Sequence, residues 1–225
     1  MKKLGLLSGL LLMSFLTQAQ YSIGVRAGVS NNSVTINDNL GGFVPDIKGM
    51  TGFTVGVFSE IALTKNLSFR PELNYARRGF SMNEGFDVDV FGMNIPLGAR
   101  VNTNLNYIET PLLLQYGIGN DKGSVYGIAG LGLGYAVSGH LQPRAQAFIE
   151  WNLPRVNIDF SDDMYNRFTS SGIVGLGGSY NTSTGKVIGE LRYEHGFNEL
   201  VDLSVVNSSI RNQSISASVG YAYNF

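Results

Sequence analysis

The ionisable residues of this chain keep a spacing of two. In "LSFRPELNYARR" Arg70 and Glu72 stand two apart, and in "KVIGELRYEHGF" Glu190, Arg192 and Glu194 repeat the step. Arg26, Glu60 and Glu109 stand singly within other alternating stretches. A spacing of two puts successive residues on one face of a strand. Eight charged side chains then share an inward face, three basic and five acidic: Arg26, Glu60, Arg70, Glu72, Glu109, Glu190, Arg192 and Glu194. Such groups are costly to bury unless paired and hydrogen-bonded, so the favoured reading is a structural plug of ion pairs. A path for protons or ions is the sharper alternative, since charged clusters also mark functional sites. If Thr64 to Asn66 form a turn, counting outward sets Glu60 opposite Arg70 as a salt bridge.

Catalysis needs a nucleophile, a base within hydrogen-bond reach and an orienting group. Only His140 and His195 are available as histidine bases. His195 sits beside Glu194 at a strand end, where a rim residue is expected rather than a base. Asp87 and Asp89, and Asp162 and Asp163, lack the ligand spacing of a calcium loop. No catalytic residue, cofactor or metal is therefore assigned.

Positioning these charges falls to strands. Residues 1–19 read as a signal peptide: Lys2 and Lys3, an apolar run from Leu4 to Leu16 too short to span a bilayer, then small and polar residues. Residues 20–225 form one domain. The whole chain has 16 Lys and Arg against 17 Asp and Glu, and losing Lys2 and Lys3 makes the remainder more acidic, which excludes a nucleic-acid partner. Cysteine is absent, so an exported domain cannot rely on disulfides. Mean hydropathy is only +0.05, yet glycines number 29 and the apolar residues alternate.

Ile23, Val25, Ala27 and Val29 share one face of a first strand. Phe53, Val55, Val57, Ile61 and Leu63 do so in a second, and Leu67, Phe69, Leu73 and Tyr75 in a third. "YIETPLLLQYG", "SVYGIAGLGLGYAVS", "SGIVGLGGSY", "KVIGELRYEHGF" and "SISASVGYAYNF" supply five more. Connections run long, short, long, short, long, short, long, with long irregular segments expected at about 79–106 and 139–169. Even strand number, brief turns at one end and long loops at the other are the marks of an outer-membrane barrel. The expected fold is all-β: an eight-stranded antiparallel up-and-down transmembrane β-barrel with short periplasmic turns and long extracellular loops. A soluble sandwich or lipocalin-like barrel would put its apolar face inside, whereas here the other face is small, Gly- and Ser-rich and charged. Pro71 and Pro111 fall within strands, and a bulge or a place near the rim is expected to accommodate them.

The segment ending "TQAQ", together with "YIETPLLLQY", "GELRYEHGF" and "GYAYNF", resembles the PorT-like, porin-family outer-membrane β-barrels over essentially the whole mature chain. The resemblance implies a protein of the outer membrane of a Gram-negative cell. It also implies that Tyr221, Tyr223 and Phe225 are read by the barrel assembly machinery, and it raises an accessory role in protein secretion, the association of PorT itself. Eight strands enclose an interior filled by side chains, so "porin" describes the lineage better than the activity.

Recognition by the loops is the remaining expectation. Phe148, Trp151 and Phe160 in one long segment, and Phe86 and Phe91 in another, are too apolar for simple disorder. The expected partners are outer-membrane lipid, the assembly machinery and a surface or secretion-system protein. A lipid- or peptide-hydrolysing barrel ranks behind these.

Overall fold

The computed structural model describes residues 21–37, 46–90, 93–147, 149–152, 154, 156–157, 167–199 and 209–225. Eight long antiparallel strands make the wall: β1 (Tyr21–Asn37), β2 (Asp46–Ala62), β3 (Leu67–Val90), β4 (Met93–Asn120), β5 (Gly123–Ala147), β8 (Phe168–Asn181), β9 (Gly185–Glu199) and β10 (Ser209–Asn224). Two short strands, β6 (Ile149–Asn152) and β7 (Val156–Asn157), fold back on the far end of β5. Each long strand pairs with its neighbour in sequence, β5 pairs with β8, and β1 pairs with β10 from Ser22 opposite Asn224 to Asn37 opposite Ser209. The sheet therefore closes on itself. The expected signal peptide, residues 1–19, lies outside the described residues.

Alternation decides the two faces. Arg70 is fully buried and Glu72 is 3% exposed, while Leu176 is 72% and Val125 70% exposed on the outer surface. A surface carrying so many bare Val, Leu, Ile and aromatic side chains suits hydrocarbon rather than water.

Three tight turns close one end. In the turn 63–66 the Thr64 hydroxyl accepts hydrogen bonds from the backbone N–H groups of Asn66 and Leu67 at 3.3 and 3.0 Å. In the turn at Asp121 and Lys122 the Asn120 side-chain oxygen accepts from the amides of Lys122 and Gly123 at 2.9 and 3.3 Å. The third turn is tied by Thr182, whose amide donates to the Gly185 carbonyl at 2.7 Å. Polar residues that hydrogen-bond their own backbone fix such turns locally.

At the other end the wall is uneven. The 24, 28 and 25 residues of β3, β4 and β5 far exceed the 17, 17, 14, 15 and 16 of the other long strands. The segment 79–106, expected to be irregular, is instead a paired hairpin running from Gly79 opposite Asn104 to Val90 opposite Met93. Segment 139–169 likewise begins as strand, with β5 paired to β4 as far as Leu97 opposite Ala147. The period of two does run through this hairpin, with Phe86, Val88 and Val90 alternating with Asp87 and Asp89, and Met93, Ile95, Leu97, Ala99 and Val101 with Asn94, Pro96, Gly98, Arg100 and Asn102. The Asn, Gly and Pro residues on the alternate positions are also the residues of turns and loops, and that is the signal that hid the strands.

The prolines are accommodated without bulges. Pro71 stands opposite Leu112 and Pro111 opposite Gly132 in unshifted register, with the β3–β4 ladder skipping two positions between Pro71 and Asn74. Register shifts fall nearer the long end, at Gly49/Phe53, Asn106/Tyr107 and Arg211/Gln213. The β2–β3 ladder also skips two positions here, between Phe58 opposite Glu72 and Ile61 opposite Phe69, and both ladders resume in the same register.

Closure is directly testable because the chain has no cysteine. In the double variant Ala27→Cys with Val219→Cys, whose positions stand opposite each other on β1 and β10, mild oxidation of the refolded barrel should link the strands. Failure to link, with linkage instead in a pair offset by one residue, would overturn the register.

Candidate functional site

The barrel interior is built by placing long charged side chains beside very small neighbours. Arg26 on β1 stands between Gly56 on β2 and Gly220 on β10. Glu190 and Arg192 on β9 stand beside Gly177 and Gly175 of β8, and beside Ser218 and Ser216 of β10. A Cβ on Gly177 would lie 2.5 Å from the Tyr126 ring, and one on Gly175 would lie 3.1 Å from Arg192 Cγ. Glycine here makes room for side chains crossing the lumen, which is why a narrow barrel can hold arginine at all.

Two charge layers result. The one nearer the turn end centres on Glu72, which accepts from Arg26 Nη1 at 2.8 Å, from Arg192 Nη1 and Nη2 at 2.9 and 2.7 Å, and from Asn74 Nδ2 at 3.1 Å. Glu190 accepts from Arg192 Nη2 at 2.6 Å, from the Tyr126 hydroxyl at 2.8 Å and from Arg70 Nη1. Arg70 also donates to Gln115 at 3.2 Å and lies 4.1 Å above the Phe58 ring centroid. In the second layer Arg78 bridges Glu109 at 2.7 Å and Glu194 at 2.5 Å, and the Ser171 hydroxyl donates to Glu194 at 2.7 Å.

All eight residues expected inside are there, but two partners had been missed. Lys186 pairs with Glu60, and Arg78 holds the second layer together. Both continue the inward parity of their strands by one step, Arg78 after Ala76 and Lys186 before Ile188, so the spacing itself carried the signal. With them, the interior ion pairs among the described residues join five positive to five negative groups, which corrects the apparent acidic excess. Glu60 and Arg70 face each other as counted from the turn, yet only at 4.0 Å. Arg70 turns instead to Glu72 and Glu190, each nearer than Glu60.

The strand order sets β3 diametrically opposite β9 in the ring. Arg70 with Glu190, Glu72 with Arg192, and Arg78 with Glu194 therefore cross the whole lumen. Apolar side chains pack around them: Leu113, Tyr126, Ile128 and Ile173, and Phe58, Ile188 and Ala222, toward the turn end, with Leu105, Tyr107 and Ala136 beyond the second layer. The interior is thus more apolar than a face of charged and tiny residues, because the gaps between ion pairs must also be filled.

The remaining sites lie elsewhere. His195 belongs to the outward row, its ring 6.5 Å from those of Tyr193 and Phe197, while Glu194 faces the lumen. Adjacent residues on opposite faces cannot form an acid–base pair. His140 lies on the β5 extension, opposite Asn104 and Asn157. Asp87 and Asp89 lie on β3 opposite Pro96 and Asn94, and Asp162 and Asp163 are outside the described residues. Among the described residues no group of three His, Cys, Asp or Glu could hold a metal ion. Tyr221, Tyr223 and Phe225 face outward at the turn end; the Phe225 ring stacks on Tyr21 at 4.9 Å and meets Tyr223 edge-on at 5.0 Å. Of the loop aromatics, Phe86 lies on β3 opposite Leu97 and Trp151 on β6 opposite Ala145. Phe91, Phe148 and Phe160 lie outside the described residues.

Replacing Arg78 by Met leaves Glu109 and Glu194 buried without their shared cation. Unfolding of the refolded barrel in urea should show a loss of about 3–5 kcal/mol, the cost of orphaning one side of a buried ion pair. Adding Glu109→Gln and Glu194→Gln should restore most of it, because the uncompensated charge is then gone.

A family model described as "Outer membrane protein beta-barrel domain" matches residues 18–202. Similar solved structures include Ail, the attachment invasion locus protein of Yersinia pestis, in complex with the heparin analogue sucrose octasulfate: 15% identity, 92% of this chain and 99% of that one covered, TM-score 0.41. OprG from Pseudomonas aeruginosa shares 12% identity, with 92% and 97% covered and a TM-score of 0.46. The outer membrane protease OmpT from Escherichia coli shares 12%, with 92% and 96% covered and a TM-score of 0.36. No curated protein matches the chain. With the family match spanning most of a closed eight-stranded wall, this chain belongs to the outer membrane protein β-barrel domain family and is a protein of the outer membrane.

Proposed function

We propose that the protein is a non-conducting outer-membrane barrel that acts at the cell surface, its ion-paired interior serving as a plug and its projecting sheet as the contact surface for a protein partner. The observation that carries this reading is the difference in strand length. About 9–11 residues suffice for a strand to cross the hydrocarbon layer, whereas β3, β4 and β5 have 24, 28 and 25. Their surplus is paired strand at the end opposite the tight turns, where outer-membrane barrels present their loops. Sheet rather than slack loop gives a partner a preorganised surface, which lowers the ordering cost of binding. The plug is supported by the cross-lumen ion pairs and the apolar clusters packed around them. The PorT-like resemblance makes a component of a secretion system one class of partner.

Two measurements test the two halves. In planar bilayers the refolded protein should give no stable, large channels, and sustained conductance would defeat the plug. Crosslinking pull-down from intact outer membranes should recover a surface or secretion protein with the full chain and lose it on deletion of residues 145–160. Recovery unchanged by the deletion would count against the projecting sheet.

A further inference from the structure

Between the two charge layers lies a cavity with a free volume for water of about 30 Å³, bordered by Arg26, Asn74 and Thr54 near the first layer and by Arg78, Glu109 and Glu194 of the second. Arg26 and Asn74 flank Gly56, which stands between them in register on β2. A Cβ on Gly56 would fall 2.0 Å from Asn74 Oδ1, so the absence of a side chain there opens the gap. Arg26 is 6% and Asn74 2% exposed. Arg26 spends its Nη atoms on Glu72 and Ser218, and Asn74 spends its Nδ2 on Glu72. What remains are a buried Nε–H donor on Arg26 and a buried Oδ1 acceptor on Asn74, neither with a protein partner.

We propose that this cavity is a binding site for ordered water, with one molecule accepting from Arg26 Nε–H and donating to Asn74 Oδ1. A buried donor and a buried acceptor left unmade each carry a desolvation penalty. The charge around the cavity selects the occupant. A cation would face the guanidinium groups of Arg26 and Arg78, and an anion would face the carboxylates of Glu109 and Glu194 and the Asn74 carbonyl. A neutral dipole that both donates and accepts satisfies all of them. The free volume is at least that of one water, and the two to four polar partners a buried water needs are within the lining. Water there completes the hydrogen bonding of the first layer on the side that faces the Arg78 bridge.

The test uses the full barrel refolded in detergent micelles, labelled with nitrogen-15, and reads magnetisation transfer from water to the Arg26 Nε–H proton. A cross-peak from a long-lived water is expected, unchanged when chloride is replaced by sulfate. No water cross-peak at a resolved Arg26 Nε–H signal would overturn the proposal. A shift of that signal on changing the anion would overturn it too, in favour of an anion site. In Asn74→Leu, which keeps the volume and removes the acceptor, the cross-peak should weaken at least several-fold while the Arg26 signal persists. An undiminished cross-peak would remove Asn74 from the site, and should that variant fail to fold, the wild-type measurement still decides.

Discussion

A strand in hydrocarbon has nowhere to leave an unpaired amide, and everything else in this molecule follows from meeting that constraint. Each orphaned backbone group costs several kcal/mol in lipid, so only a sheet without edges is stable there. The pairing of β1 with β10 along their whole length removes the last edge. Closure in turn fixes how many strands surround the lumen, and eight leave a space only as wide as the side chains that fill it. Even the prolines obey the constraint: beside Pro71 the β2–β3 and β3–β4 ladders each skip two positions and resume in the same register, and the β4–β5 ladder runs unbroken past Pro111.

A narrow lumen then sets the chemistry inside. Ten charged groups meet there in ion pairs, five of each sign among the described residues, and the barrel tolerates them because neutralisation is nearly complete and because glycine or serine stands beside most of them. Breaking one partner of such a network is far more damaging than removing a whole layer, since the damage comes from the orphaned charge. The three pairs between β3 and β9 brace the ring across its diameter, where no backbone hydrogen bond can reach. The contact surface proposed above lies outside this lumen, on the projecting parts of β3, β4 and β5, because the interior is committed to internal ion pairs.

The inner and outer rows of the wall were legible residue by residue. Val25 against Arg26, or Leu191 against Arg192, is a local choice that alternation states outright. The eight interior charges followed from the same rule, which also covers Arg78, the last residue of "LSFRPELNYARR", and Lys186, the first of "KVIGELRYEHGF"; both were missed because a charge at a strand terminus reads equally as a solvated rim residue. Glu60 and Arg70 show the limit of the method. Counting from the turn at Thr64 sets them opposite each other, and they are, but opposition does not decide which acid an arginine prefers when Glu72 and Glu190 approach it more closely.

Sequence by itself determined the class of fold, the faces of the strands and the lack of cysteine crosslinks, because period-two patterning and composition are read without knowing what lies across the barrel. Only the tertiary structure decided that Arg70 would meet Glu190, and Arg78 would meet Glu194. Those partners are separated by 120 and 116 residues, and they meet because strand tilt, register and ring closure bring opposite walls together. How far the hairpin of β3 and β4 projects was likewise settled by pairing. Its residues alternate, as Phe86, Val88 and Val90 do with Asp87 and Asp89, but the Asn, Gly and Pro among them read equally as loop until a partner strand takes up their backbone groups.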